Sequence, residues 1–161
     1  MDSTLTSADL LAWINSLPYS HIVYPESTVN KIKYFFWRLY TPLHSPLRNT
    51  LMHLGILRHS TRQNFLLGKI APDQTVQDFV SFLIERGYGN HFVAWRDKGE
   101  LLSLRRLDGF ECQYHLRVFE DGEVRGHYEY TPECYPLWHF RAVDQEDRRG
   151  EFLDLLGDKI I

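Results

Sequence analysis

The sequence predicts an α+β domain: an antiparallel four-stranded meander with three to four N-terminal helices and one C-terminal helix packed on one face. Three observations predict it. Apolar residues recur at helical spacing through about residues 7–87. From about 91 to 131 the period switches to two, punctuated by Lys98-Gly99, Asp108-Gly109 and Asp121-Gly122. A helical stripe then returns at about 145–156. At 161 residues the chain is read as one domain, 1–161, long enough to bury a core without disulfide or metal staples.

Each element has its own local signals. Residues 7–17 place Leu10, Leu11 and Ile14 at helical spacing, and Pro18 stops the run. Ser27 or Thr28 caps a second helix with Val29, Ile32, Phe36, Leu39 and Tyr40 on one stripe. Because Phe35 and Trp37 lie off that stripe, this helix is expected to be central, and Pro42 to end it. Ser45 and Pro46 open a third, Pro46 standing at the first helical position, where its missing N–H costs nothing. The fourth is the clearest, with Val76, Phe79, Val80, Leu83 and Ile84 at one face, Asp73 or Thr75 as cap and Gly87 as stop. Before it, residues 62–70 read equally as strand or extended loop. The meander comprises residues 91–97, 100–108, 111–119 and 123–131. The closing helix has Asp144 as cap and Phe152, Leu155 and Leu156 facing inward.

Composition narrows the functional classes. Apolar residues at 43% and charged residues at 24% are ordinary for a soluble globular protein. Two cysteines, Cys112 and Cys134, without metal-ligand spacing fit a reducing compartment, and no run reaches bilayer-spanning length. A cytoplasmic protein with no membrane partner is expected. The aromatic, basic stretch KIKYFFWRLY matches an interfacial anchor in composition, but it is read as core. The net charge of −3 conceals an asymmetry: Ser27 to Pro72 holds seven cations and no Asp or Glu. Such a split points to an anionic partner, or to packing of the basic segment on the acidic remainder.

The hairpin YHLRVFEDGEVRGHYEY, Tyr114 to Tyr130, can be registered by parity. A two-residue loop at Asp121-Gly122 opposes Glu120 to Glu123 and Val118 to Arg125, which sets like charges together and mixes faces. A three-residue loop with Gly122 left-handed opposes Val118 to Val124, Leu116 to Gly126 and Tyr114 to Tyr128. The other face then carries His115 opposite His127, Arg117 opposite Arg125, and Gln113 opposite Glu129. Opposed Cβ atoms lie roughly 5 Å apart.

That face supplies the candidate site: His115, Arg117, Arg125, His127 and Glu129. Guanidinium forks match phosphate geometry, and imidazoles add donors. A non-catalytic binding module for an anionic ligand, nucleic acid or a nucleotide, is the leading reading, with no cofactor assigned. One alternative is a hydrolase in which His115 and His127 act as general acid and base on a phosphodiester or ester. A protein-interaction module or sheet-edge homodimer is another. A metal site on His115, His127 and Glu129, with His139 or Cys134 nearby, has suitable donors but no compact ligand motif, so no metal is assigned. The plain alternative is a solvated or salt-bridged sheet face.

Overall fold

The computed structural model describes residues 7–55, 65–91, 97–135 and 145–161. Its class is α+β, as expected, with one antiparallel sheet of five strands rather than four. The elements run α1 (Ser7–Ser16), α2 (Thr28–His53), β1 (Leu66–Lys69), α3 (Val76–Glu85), β2 (Gly89–Asn90), β3 (Glu100–Asp108), β4 (Cys112–Phe119), β5 (Glu123–Tyr130) and α4 (Gln145–Leu156). The spatial order is β1-β5-β4-β3-β2, so β3 to β5 form the meander and β4 is central. The strand expected at 91–97 falls largely on residues 92–96, which lie outside the described residues, as do Asp144 and His139.

Two of the five strands were not expected: β2, the pair Gly89–Asn90 just before the expected first strand, and β1, from LLGK, the stretch whose period was ambiguous. β1 pairs with β5, and its far side is paired in turn with the C-terminus, Lys69 exchanging both backbone bonds with Ile161 at 2.8 Å. Gly68 permits this approach, because a Cβ there would stand 2.7 Å from the Ile161 carbonyl oxygen. At the opposite side, Asn90 of β2 exchanges backbone bonds with Pro18 and Ser20. Each outer strand is therefore itself partnered, which blunts its use as an edge for dimerisation.

One sheet face carries the core. Leu102 and Leu104 of β3, Leu116 and Val118 of β4 and Val124 of β5 are fully buried against Ile14 of α1, Phe79, Val80 and Leu83 of α3, and Phe152 and Leu156 of α4. Helix α3 starts with a capping box: Thr75 accepts from the Asp78 N–H, and the Asp78 carboxylate accepts from the Thr75 N–H. Gly87 follows it with φ 84°, the left-handed stop that the sequence predicts.

Helix α2 departs from expectation in three ways. Ser27 caps it as predicted, accepting from the Asn30 N–H at 3.1 Å. However, Pro42 does not end it; one 26-residue helix runs through Pro42 and Pro46 to His53. The two prolines are four apart and exposed, so both lie on the same side of the helix, and each removes one N–H from its ladder. The helix is also not central. Val29, Ile32, Phe35, Phe36 and Leu39 are all more than half exposed, and among its described large apolar side chains only Trp37 is buried. Nor does it join the other three helices on the apolar face: Tyr34, Trp37 and Arg38 line a cleft with Arg105 and Glu133, which belong to the polar side.

Candidate functional site

The hairpin register is the one parity requires. His115 pairs with His127, Arg117 with Arg125, Gln113 with Glu129 and Val118 with Val124. Gly122 holds φ 81°, and its N–H donates to the Phe119 carbonyl at 3.0 Å, closing the three-residue loop. Neighbouring β3 contributes Ser103 and Arg105 to the same face, opposite Arg117 and His115.

This polar face is interior. Arg105 and Gln113 are wholly buried, and His115, His127 and Glu129 are 2–4% exposed. Among the described residues, Phe65 stacks on the His127 ring at 4.8 Å and His91 meets His115 edge-on at 5.3 Å. Of the five predicted site residues, Arg117 is also buried and Arg125 is half-buried.

Three of the five come together. The Glu129 carboxylate lies between both imidazoles, 3.0 Å from His115 Nδ1 and 2.9 Å from His127 Nε2. Gln113 Nε2 donates to Glu129 Oε1 at 2.8 Å, and Ser103 Oγ bonds His115 Nε2 on its far side. Burial pushes the His115 pKa down to about 3, against the opposing pull of Glu129, so the ring is neutral at pH 7. Burial alone would raise Glu129. The His127 imidazole and the hydrogen bonds from both rings outweigh it and hold the carboxyl well below its ordinary range.

The two arginines go elsewhere. Arg117 Nη1 bonds Asp97 at 2.7 Å and lies 3.5 Å from Glu100. Arg125 turns back on its own strand to Glu123, at 2.6 and 3.1 Å, with its guanidinium over the Phe119 ring. Their mutual repulsion is relieved by internal carboxylates, so they do not form a joint anion grip.

Sequence reasoning missed Ser103, Arg105 and Glu133. Arg105 forms a bidentate pair with Glu133 at 2.9 and 2.6 Å and also donates to Gln113 and to the Ser20 carbonyl. Extending parity from β4 to β3 across the Asp108-Gly109 turn would have found Ser103 and Arg105. Glu133 lies beyond the strands, where no periodicity applies.

Around this pair the polar side opens into a cleft of about 440 Å³, whose walls include Tyr24, Tyr34, Trp37 and Arg38. Arg38 rests 5.9 Å from the Tyr34 ring centroid. Two donors at the cleft, the Tyr24 hydroxyl and Arg105 Nε, are buried without a hydrogen-bond partner among the described residues. Burial, with Glu133 adding to it, pushes the Tyr24 hydroxyl far above its usual value, which keeps it a neutral donor.

The chain Ser103–His115–Glu129 has the order of a nucleophile relay, hydroxyl to imidazole to carboxylate. Ser103 is only 4% exposed. Cys112 and Cys134 are unpaired thiols, as expected. Comparison with protein-family models, with curated proteins and with solved structures finds no match for this chain. No helix among the described residues is long and apolar enough to cross a membrane.

Proposed function

We propose that this protein is a binding module for a small planar ligand carrying negative charge, such as a nucleotide, held in the cleft between α2 and the polar side of the sheet. The observation that carries the reading is the pair of unpartnered buried donors, Tyr24 Oη and Arg105 Nε, in one cleft. Buried donors are nearly always satisfied, so two of them at one cavity call for an acceptor. The volume falls within the usual range for small-molecule sites, roughly 300–1,000 Å³. Tyr34 and Trp37 give the cleft an aromatic wall, and Arg38 brings a cation from the acid-free segment. The anionic ligand expected on the sheet face is thereby assigned to that face's outlet, while the His115–Glu129–His127 cluster lies behind it.

Titration with AMP, ATP and inorganic phosphate, followed by tryptophan fluorescence at low and high salt, tests this. Saturable quenching that weakens with salt and in Arg38→Ala is expected. No binding by any of them at low ionic strength would refute the reading.

A second reading, protein recognition, is favoured by the outward side of α2. Val29, Ile32, Phe36, Leu39, Leu43 and Leu47 are exposed there at three- and four-residue spacing, as in a helix-pairing seam. The helix contains no Asp or Glu, so the partner it fits is an acidic amphipathic helix rather than a second, equally basic copy. Light scattering should then show a monomer; a dimer dissociated by Phe36→Asp would reverse that choice of partner.

A further inference from the structure

We propose that His115, His127 and Glu129 bind one divalent first-row metal ion. Their donor atoms all lie within 4.8 Å of one another, and the three side chains are buried. The sheet builds this arrangement: His115 and His127 are a directly opposed pair, and Glu129, two residues beyond His127, returns to the same face. Two imidazoles and a carboxylate are a common donor set for zinc and for ferrous or manganous ions.

Charge adds to the geometry. Among the described residues, Arg105, Arg117 and Arg125 each bond a different carboxylate, Glu133, Asp97 and Glu123, and none of the three bonds Glu129. A buried carboxylate gains more from a cation than an exposed one does, because the surroundings screen less.

The outer contacts are those a metal site uses. Ser103 Oγ contacts His115 Nε2, leaving Nδ1 toward Glu129. Gln113 holds Glu129 Oε1, leaving Oε2 toward His127 Nε2. Bonds of 2.0–2.1 Å at tetrahedral angles set donor atoms roughly 3.3 Å apart. The 2.9 and 3.0 Å separations, made to different oxygens of Glu129, open by a few tenths of an ångström, while the widest separation in the set, within 4.8 Å, closes as the imidazoles draw together on the ion. Three protein ligands leave a fourth position for a water.

The inference does not depend on the cleft ligand, and its test is separate. Untagged full-length protein is stripped with EDTA, checked for folding by circular dichroism, and titrated calorimetrically with ZnCl2. Visible absorption with CoCl2 reports the ligand field. One equivalent of zinc per chain, a higher thermal midpoint with zinc, and a cobalt spectrum with nitrogen and oxygen ligands are expected. Ser103→Ala, which removes only an outer contact, should weaken zinc roughly 10- to 100-fold. His127→Gln should abolish stoichiometric binding, and the exposed His53→Ala should leave it intact. Failure of the folded wild type to bind either ion overturns the proposal. So does undiminished binding in Ser103→Ala together with a cobalt spectrum lacking histidine ligation, a result that stands even where His127→Gln does not fold.

Discussion

The Arg105–Glu133 pair gives the sharpest energetic test, because both side chains are at most 2% exposed and their geometry is bidentate. In Glu133→Gln, shape is conserved but the counter-charge is lost. Arg105 keeps the Gln113 oxygen at 3.1 Å and the Ser20 carbonyl at 2.8 Å, and one of its two bonds to residue 133 now meets an amide N–H₂. Hydrogen bonds to charged groups contribute about 1.5–3 kcal/mol each, and breaking a buried pair from one side typically costs 3–5 kcal/mol. With two acceptors retained, a loss of about 3 kcal/mol is expected, or roughly 6–12 °C in the thermal midpoint of a chain this size. Replacing both partners, as in Arg105→Met with Glu133→Leu, removes the uncompensated charge and should fall within about 1 kcal/mol of wild type. Urea denaturation of wild type, both single variants and the double closes the cycle. The reasoning fails if Glu133→Gln costs under 1 kcal/mol, or if the double variant costs the sum of the singles.

Four further outcomes are expected. The His115 pKa is lower in the folded state, about 3, than its ordinary value of 6.5, so its contribution is present above pH 6.5 and is lost as pH falls toward 3. From pH 7 to 5 that amounts to about 2 kcal/mol. In EDTA, the wild type should lose that much more stability than His115→Gln; equal pH slopes would contradict a neutral buried imidazole. Phe36→Ser, on the exposed side of α2, should change stability by under about 0.5 kcal/mol, whereas Trp37→Ala should cost about 3 kcal/mol; the reverse order would return the stripe to a core. Gly68→Ala drives a methyl against the Ile161 backbone. It should cost about 1–3 kcal/mol and speed hydrogen exchange at residues 159–161, and unchanged exchange there would argue against that docking. Gln113→Met cuts the hydrogen-bond link between Arg105 and Glu129, so any effect of zinc on nucleotide affinity should be present in wild type and absent in the variant.

How far the sequence could be read depended on the range of the interaction. The β4–β5 register followed from local facts, a period of two and a glycine able to hold φ 81°. Since a one-residue slip inverts every side chain, one correct turn determined all seven pairs. Helix α3 was legible for the same reason, its cap, stripe and stop lying within thirteen residues. In α2 the apolar stripe was visible but its partner was not. Amphipathic spacing says that a face seeks cover, and Val29 to Leu39 have the same spacing whether the cover is this chain or another. The strand Leu66–Lys69 was hidden because four residues cannot establish a period, and its pairing spans nearly sixty residues of chain. Glu133 was hidden likewise: it reaches Arg105 from 28 positions away, beyond any turn rule.

A sheet with one face against three helices already has its core, and an apolar second face would complete it at less cost. Here the described residues of that face instead bring eight ionised side chains into the interior or its margin, Arg105, Arg117, Arg125, Asp97, Glu100, Glu123, Glu129 and Glu133. Desolvating such groups is expensive, and well-packed apolar replacements are often neutral or stabilising. Stability alone therefore does not explain the face; departures of this kind concentrate where a protein acts. The network is also continuous. Glu133 holds Arg105, Arg105 donates to Gln113, Gln113 donates to Glu129, and Glu129 joins both histidines. One end reaches the cleft with its unpartnered donors, and the other ends in the buried metal-donor set. An ion on Glu129 draws charge away from the Gln113 oxygen–Arg105 contact through a single amide, so the buried cluster is placed to set how strongly Arg105 Nε attracts an acceptor in the cleft.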